Sequence, residues 1–95
     1  MLSKKQKNII IKAMLPYKPE KIGVFGSYAR NENSEDSDID ILYAFNSNYS
    51  LFDIAGLQIE LENLLKKNVD LIEYSTINPF LKENILKDSK IFYVG

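Results

Sequence analysis

Apolar positions along this chain change period several times, and each change marks an element. Ile9, Ile10, Ala13 and Met14 form one face of a helix that Ser3 can cap and that runs to about Leu15. Pro16 and Pro19 end it. Glu20 to Phe25 reads as a strand built on the apolar run Ile22-Gly23-Val24-Phe25, and Asp38 to Phe45 as a second. Asn46-Ser47-Asn48 is a turn. Ser50 and Asp53 then make a capping-box-like start to a helix over Leu51 to Lys67, with Ile54, Leu57, Leu61, Leu64 and Leu65 as its buried face. Lys66 and Lys67 fall in its last turn, where the helix dipole favours cations. Val69 to Tyr74 is a third strand. Asn78 caps and Pro79 opens a helix through Lys87, and Ile91 to Val94 is a short strand at an edge. The order α-β-β-α-β-α-β predicts an α/β (α+β) fold, a small mixed sheet with helices packed on it. No repeat, low-complexity segment or linker interrupts residues 1–95, so a single domain is expected.

Two stretches break the apolar pattern in a way that bears on chemistry. Gly26-Ser27 follows the first strand and leads into a short helical start, whose free N–H groups favour an anion. Gly26 lets phosphate approach the backbone, and Ser27 offers a hydroxyl and an amide; its plainer role is a helix N-cap, which is compatible. Further on, Asp38-Ile39-Asp40-Ile41 alternates with a period of two, which turns Asp38 and Asp40 to one face. Two such carboxylates repel unless a cation sits between them, and Mg²⁺ is commonly held by one or two carboxylates plus substrate phosphates. The competing reading is an acidic solvent face on an edge strand. An EF-hand is excluded: counted from Asp36, the loop would need Gly at its sixth position and Glu at its twelfth, where Ile41 and Ser47 stand.

Composition narrows the options. The chain has no Cys and no His, which removes disulfides, thiolate metal sites, a His general base and zinc-protease chemistry. Catalysis would rest on carboxylates, metal, hydroxyls, Lys and the single Arg30. No apolar run reaches the ~20 residues a membrane span needs, and the N-terminal residues lack a signal-peptide pattern. With Cys absent as well, a cytoplasmic protein without membrane association is expected. A net charge of −1 hides an asymmetry: residues 31–65 hold eight acids and no Lys or Arg, whereas residues 1–30 hold seven basic residues and one acid, Glu20. The pI near 5.4 argues against a nucleic-acid polymer as main ligand. The acidic stretch reads either as a solvated face or as a metal mouth with a surface for a basic partner.

The string Gly26-Ser27-Tyr28-Ala29-Arg30, followed by Ser37-Asp38-Ile39-Asp40-Ile41, resembles the nucleotidyltransferase motif Gly-Ser-x-Ala-Arg-Gly, a loop, then Ser-Asp-x-Asp-Leu. More narrowly, the whole chain resembles the minimal nucleotidyltransferase (MNT) family, small prokaryotic proteins often paired with HEPN-domain toxins. Asn31 stands where the family usually has Gly, and Asn is the residue that best tolerates positive φ after Gly. The resemblance implies a nucleotidyltransferase fold, ATP as donor and two Mg²⁺ ions. It implies Gly26 and Ser27 on the β- and γ-phosphates, with Arg30 clamping phosphate or holding the motif loop. Arg30 could also simply pair with Glu32 or Glu35. Asp38 and Asp40 would be metal ligands, and Asp70 the third carboxylate, on a neighbouring strand; the plainer role of Asp70 is to cap the turn after Lys67. Glu73 is its rival but falls on the opposite face by alternation. Glu32, Glu35 and Asp36 read as solvated loop acids, Tyr28 and Ala29 as packing. Phe45, Tyr49, Phe52, Tyr74, Phe80 and Phe92 read mostly as core.

The implied activity is that of an antitoxin adenylylating a hydroxyl, a Tyr by expectation, on a partner HEPN toxin. The alternatives are a small-molecule nucleotidyltransferase subunit similar to the aminoglycoside enzymes, and a non-catalytic antitoxin acting by contact alone. The acceptor, the number of nucleotides transferred, the base and the stoichiometry are not written in the sequence.

Overall fold

Helices in this chain begin where a side chain can take up their first free amides. A computed structural model describes residues 2–95. Helix α1 (Lys4–Met14) opens on a full capping box: Ser3 Oγ accepts from the Gln6 amide at 3.0 Å, and Gln6 Oε1 accepts from the Ser3 amide at 2.9 Å. Helix α2 (Leu51–Leu65) repeats the device with Ser50 and Asp53, both bonds at 3.1 Å. Helix α3 (Pro79–Lys87) starts under Asn78, whose side chain accepts from the Phe80 amide.

The second strand starts at Ile39 rather than Asp38 and the last at Lys90 rather than Ile91, and three further element ends differ from the sequence expectation for a backbone reason. A 3₁₀ turn over Leu15–Tyr17 carries Pro16, and Lys18 at φ 55° redirects the chain, so strand β1 (Pro19–Phe25) begins at Pro19 rather than Glu20. A proline is tolerated as the first residue of a strand. Helix α2 stops at Leu65, not Lys67, because Lys66 takes up φ 59°, a left-handed C-cap. Lys66 and Lys67 therefore lie beyond the helix. Strand β3 (Val69–Glu73) gives up Tyr74 to a 3₁₀ turn over Tyr74–Thr76.

With β2 (Ile39–Phe45) and β4 (Lys90–Val94), the strands form one four-stranded sheet in the order β3-β2-β1-β4. β1 runs antiparallel to both β2 and β4, while β2 and β3, joined through α2, are parallel. The mixed sheet and the edge position of β4 match the sequence reading. The parallel β2–β3 pair matters most for function, because it brings the starts of both strands to one end of the sheet.

The core lies between the sheet and the two longer helices. Ile10, Ala13 and Met14 of α1 and Leu57, Leu61 and Leu65 of α2 pack with Ile22, Val24, Ile39, Ile41, Tyr43 and Val69. Leu42 and Ile77 are also buried but stand apart from this cluster. Alternation along β2 turns Leu42, and with it Asp40, to the sheet face opposite Ile39 and Ile41. Two packing expectations are corrected. Leu64 is half exposed, because it points off the α2 stripe formed by Leu57, Leu61 and Leu65. Phe52 and Phe80 are 90% exposed: each sits in the first turn of its helix, outside the layer between helices and sheet. Phe45 and Tyr49 do pack, in a ring cluster with Tyr17 and Tyr43.

Candidate active site

Strand β1 delivers its last residue, Phe25, opposite Asp40 of β2. The next residue, Gly26, turns at φ 72°, and a Cβ built there would lie 2.5 Å from Asp40 Oδ2. Only glycine lets the turn close this tightly on the carboxyl. The expected short helix after Ser27 is a single turn: the Arg30 amide donates to the Gly26 carbonyl at 3.1 Å and the Glu32 amide to the Ser27 carbonyl at 2.8 Å. It goes no further because Asn31 takes positive φ, 59°. Asn31 thus adopts the left-handed backbone its sequence position calls for. Tyr28 and Ala29 are buried, which anchors the turn in the core.

Across β2, register pairs Asp40 with Asp70 of β3. The two carboxyls are close enough to share a hydrogen bond, and the Asp40 carboxyl is pushed up to about 6. Burial is the largest cause; the charge of Asp70 and that shared hydrogen bond follow, then the charge of Asp38, while Arg30 pulls the other way. Asp38 lies one residue ahead of β2 and is exposed, as is Asp70; Asp40 is half-buried. Among the described residues, no three carboxylates are gathered into a ready-made metal cage. The arrangement is instead a close pair with Asp38 beside it, backed by the Gly26 turn.

Arg30 makes the ion pair foreseen with Glu32, Nε to Oε2 at 3.1 Å, and a second, longer one to Asp88 at 3.6 Å. It therefore ties the motif turn to the end of α3, and its charge reaches Asp40 as well. Glu32, Glu35 and Asp36 are exposed, in keeping with their reading as loop acids. Glu73 pairs in register with Tyr43, three positions along β3 from Asp70, and binds the Ser75 hydroxyl. It takes no part in the carboxylate pair.

Residues outside the motif also border the site. An open hollow of about 390 Å³ beside Asp38 is lined by Lys66 and Lys67 and by the 35–38 loop, but not by Gly26, Asp40 or Asp70. The Lys67 ammonium donates to the Glu35 carbonyl and so anchors the loop that carries Asp38. On α2, Gln58 and Glu62 both bond to the main chain of Val69, next to Asp70. The available signal was a polar pair four residues apart, bordering the stripe of Leu57, Leu61 and Leu65.

Comparison with known proteins gives a consistent result. The family model described as polymerase beta nucleotidyltransferase matches residues 5–94. A Methanocaldococcus jannaschii protein, provisionally named a protein adenylyltransferase, is 46% identical over 83 residues, covering 87% of this chain and 89% of its own. Protein adenylyltransferase MntA of Thermococcus cleftensis is 43% identical over 68 residues, 72% of this chain and 69% of its own. Among solved structures, a toxin–antitoxin crystallised with AMP-PNP superimposes with a TM-score of 0.83 at 25% identity, over 94% of this chain and 73% of that one. Among the described residues, no helix is long and apolar enough to cross a membrane.

Proposed function

The chain belongs to the polymerase beta nucleotidyltransferase family, and from that premise we propose that it is a protein adenylyltransferase that moves AMP from ATP to a hydroxyl of a toxin partner. The observation that carries the reading is the in-register Asp40–Asp70 pair with Gly26 turned against it. A glycine turn closed on a pair of carboxylates at one sheet end suits a nucleoside triphosphate that arrives with a divalent cation. The relatives named for protein adenylyltransfer and the AMP-PNP-bound toxin–antitoxin neighbour support both the donor and the class of partner.

The donor set is all oxygen, which suits Mg²⁺. Asp40 and Asp70, with Asp38, would hold it, and the half-buried Asp40 beside the exposed Asp70 is short of positive charge as it stands. When bound, Mg²⁺ supplies charge neutralisation at the phosphates and lowers the pKa of an acceptor hydroxyl.

The protein's own share is positioning. Gly26 and Ser27 hold the β- and γ-phosphates by backbone and hydroxyl, and Arg30 keeps their turn in place. Asp70, the open member of the pair, faces the acceptor and takes up its hydroxyl proton. The acceptor oxygen bonds to the α-phosphorus, the bond from that phosphorus to the bridging oxygen breaks, and pyrophosphate leaves. No histidine is needed. A HEPN-type toxin fits as the acceptor, with a Tyr hydroxyl as target: the exposed loop acids Glu35 and Asp36, with Asp38, offer negative charge that complementary charge on the toxin would orient.

The test incubates the purified chain and toxin with Mg²⁺ and each of ATP, GTP, CTP and UTP, then measures the toxin's intact mass. AMP addition, on a Tyr when the product is sequenced, is expected. A toxin of unchanged mass that is nonetheless neutralised would replace this reading with inhibition by contact.

A further inference from the structure

Gln58 and Glu62, four residues apart on α2, take up both main-chain groups of one residue, Val69. The Val69 amide donates to Glu62 Oε2 at 2.9 Å, and Gln58 Nε2 donates to the Val69 carbonyl at 2.8 Å. Both side chains are partly buried. The place of this contact in the sheet gives it meaning. β3 is an edge strand, paired only with β2. On the β2 side, the Asn68 carbonyl accepts from the Ile39 amide at 3.0 Å. Across a trans peptide the carbonyl and the next amide point opposite ways, so the Val69 amide faces the outer edge. Gln58 and Glu62 thus supply, from a helix, the donor and acceptor that a fifth strand would have offered there.

We propose that Gln58 and Glu62 are positioning residues for Asp70. Val69 is buried and directly precedes Asp70, whose own side chain is exposed. β3 is only five residues long, and the start of a short edge strand opens readily. Clamping the Val69 amide and carbonyl fixes that start and sets the Asp70 carboxyl against Asp40. Only residues 66–68 join α2 to β3, and Lys66 closes the helix by donating to the Glu62 carbonyl at 2.9 Å. The clamp is therefore rigidly coupled to the strand it holds. A carboxylate acceptor makes the stronger form of this bond. This inference rests on the reading of Asp70 as part of the transfer site.

The experiment compares Glu62→Ala, Gln58→Met and the conservative Glu62→Gln with wild type and with Asp70→Asn. Three properties are read: amide hydrogen exchange at Val69, steady-state AMP transfer to the toxin, and the crystal structure of Glu62→Ala. Exchange at Val69 should accelerate in Glu62→Ala while amides in β1 stay protected. The kcat should fall about 10- to 100-fold, the scale expected when a reacting group is displaced by about an ångström. KM for ATP should change little, because Gly26 and Ser27 follow a different strand. Glu62→Gln keeps an oxygen acceptor and should restore most of kcat. In the Glu62→Ala crystal, Asp70 should move out of hydrogen-bonding reach of Asp40.

Wild-type kcat in folded Glu62→Ala and Gln58→Met, with Asp70→Asn inactive, would overturn the clamp and leave the site reading intact. Full activity in Asp70→Asn would overturn the site reading, and exchange and crystal geometry would then decide the clamp alone. Should Glu62→Ala fail to fold, Gln58→Met carries the same measurements, including the structure. An Asp70 that stays beside Asp40 in that variant refutes the proposal.

Discussion

Replacing Asp40 by Asn should make the metal-free protein more stable and inactive at the same time. Its carboxyl is moved from 3.8 to about 6, first by burial and then by Asp70. A displacement of that size corresponds to about 3 kcal/mol. The group is open to water on one side, so screening leaves roughly 1–1.5 kcal/mol. The folded value is the higher one, so the folded state binds the proton more tightly than the unfolded chain. The penalty is absent below 3.8, grows between the two values and is complete above about 6. Wild-type stability therefore has a component that falls as pH rises through this window. Asn has no proton to lose. The variant should gain roughly 1–1.5 kcal/mol at about pH 8 and almost nothing near pH 4. For a domain of this size the gain at the higher pH is about 4–8 °C in Tm. Urea unfolding in chelator at both pH values measures it, and the transfer assay should show no product. A variant less stable than wild type at the higher pH, or a gain equal at both, would refute the reasoning from burial and like charge.

Other outcomes follow from the same geometry. ATP should raise Tm clearly only with Mg²⁺ or Mn²⁺ present, since the carboxylates alone repel phosphate; equal stabilisation in chelator would count against metal at Asp38, Asp40 and Asp70. Gly26→Ala forces a side chain into left-handed backbone at a cost of about 1–2 kcal/mol. It also drives a methyl into the Asp40 carboxyl, so transfer should be lost along with stability in thermal unfolding. At position 31, Asn31→Gly should be tolerated, whereas Asn31→Val should lose about 1–2 kcal/mol in urea unfolding, because φ is 59° there.

Much of this was legible in the sequence because the signals were local. Ser3, Ser50 and Asn78 cap the helices they were read to cap, since a capping residue acts within one turn of itself. Alternation and the motif single out Asp38 and Asp40, and the resemblance implies an acid at Asp70, but the pairing of Asp40 with Asp70 comes from strand register. What was missed depends on tertiary placement. That Phe52 and Phe80 stand exposed is decided by where their helices enter the fold, not by hydrophobicity. Lys66 looked like a last-turn cation, and only its backbone shows that the helix has already ended. Asp88 as a second partner of Arg30 lies 58 positions away in sequence, beyond any local pattern. Gln58 and Glu62 carry no distinguishing sequence signal of their own, because a polar pair beside an apolar stripe looks like ordinary helix surface until the edge strand is placed against it.

The most direct measurement is the intact mass of the toxin after coexpression with wild-type chain and with Asp40→Asn. A gain of one or more AMP units with wild type, absent with the variant, is the expected result. A toxin neutralised by Asp40→Asn as fully as by wild type, with no added mass in either case, would contradict adenylyl transfer at the Asp40–Asp70 pair.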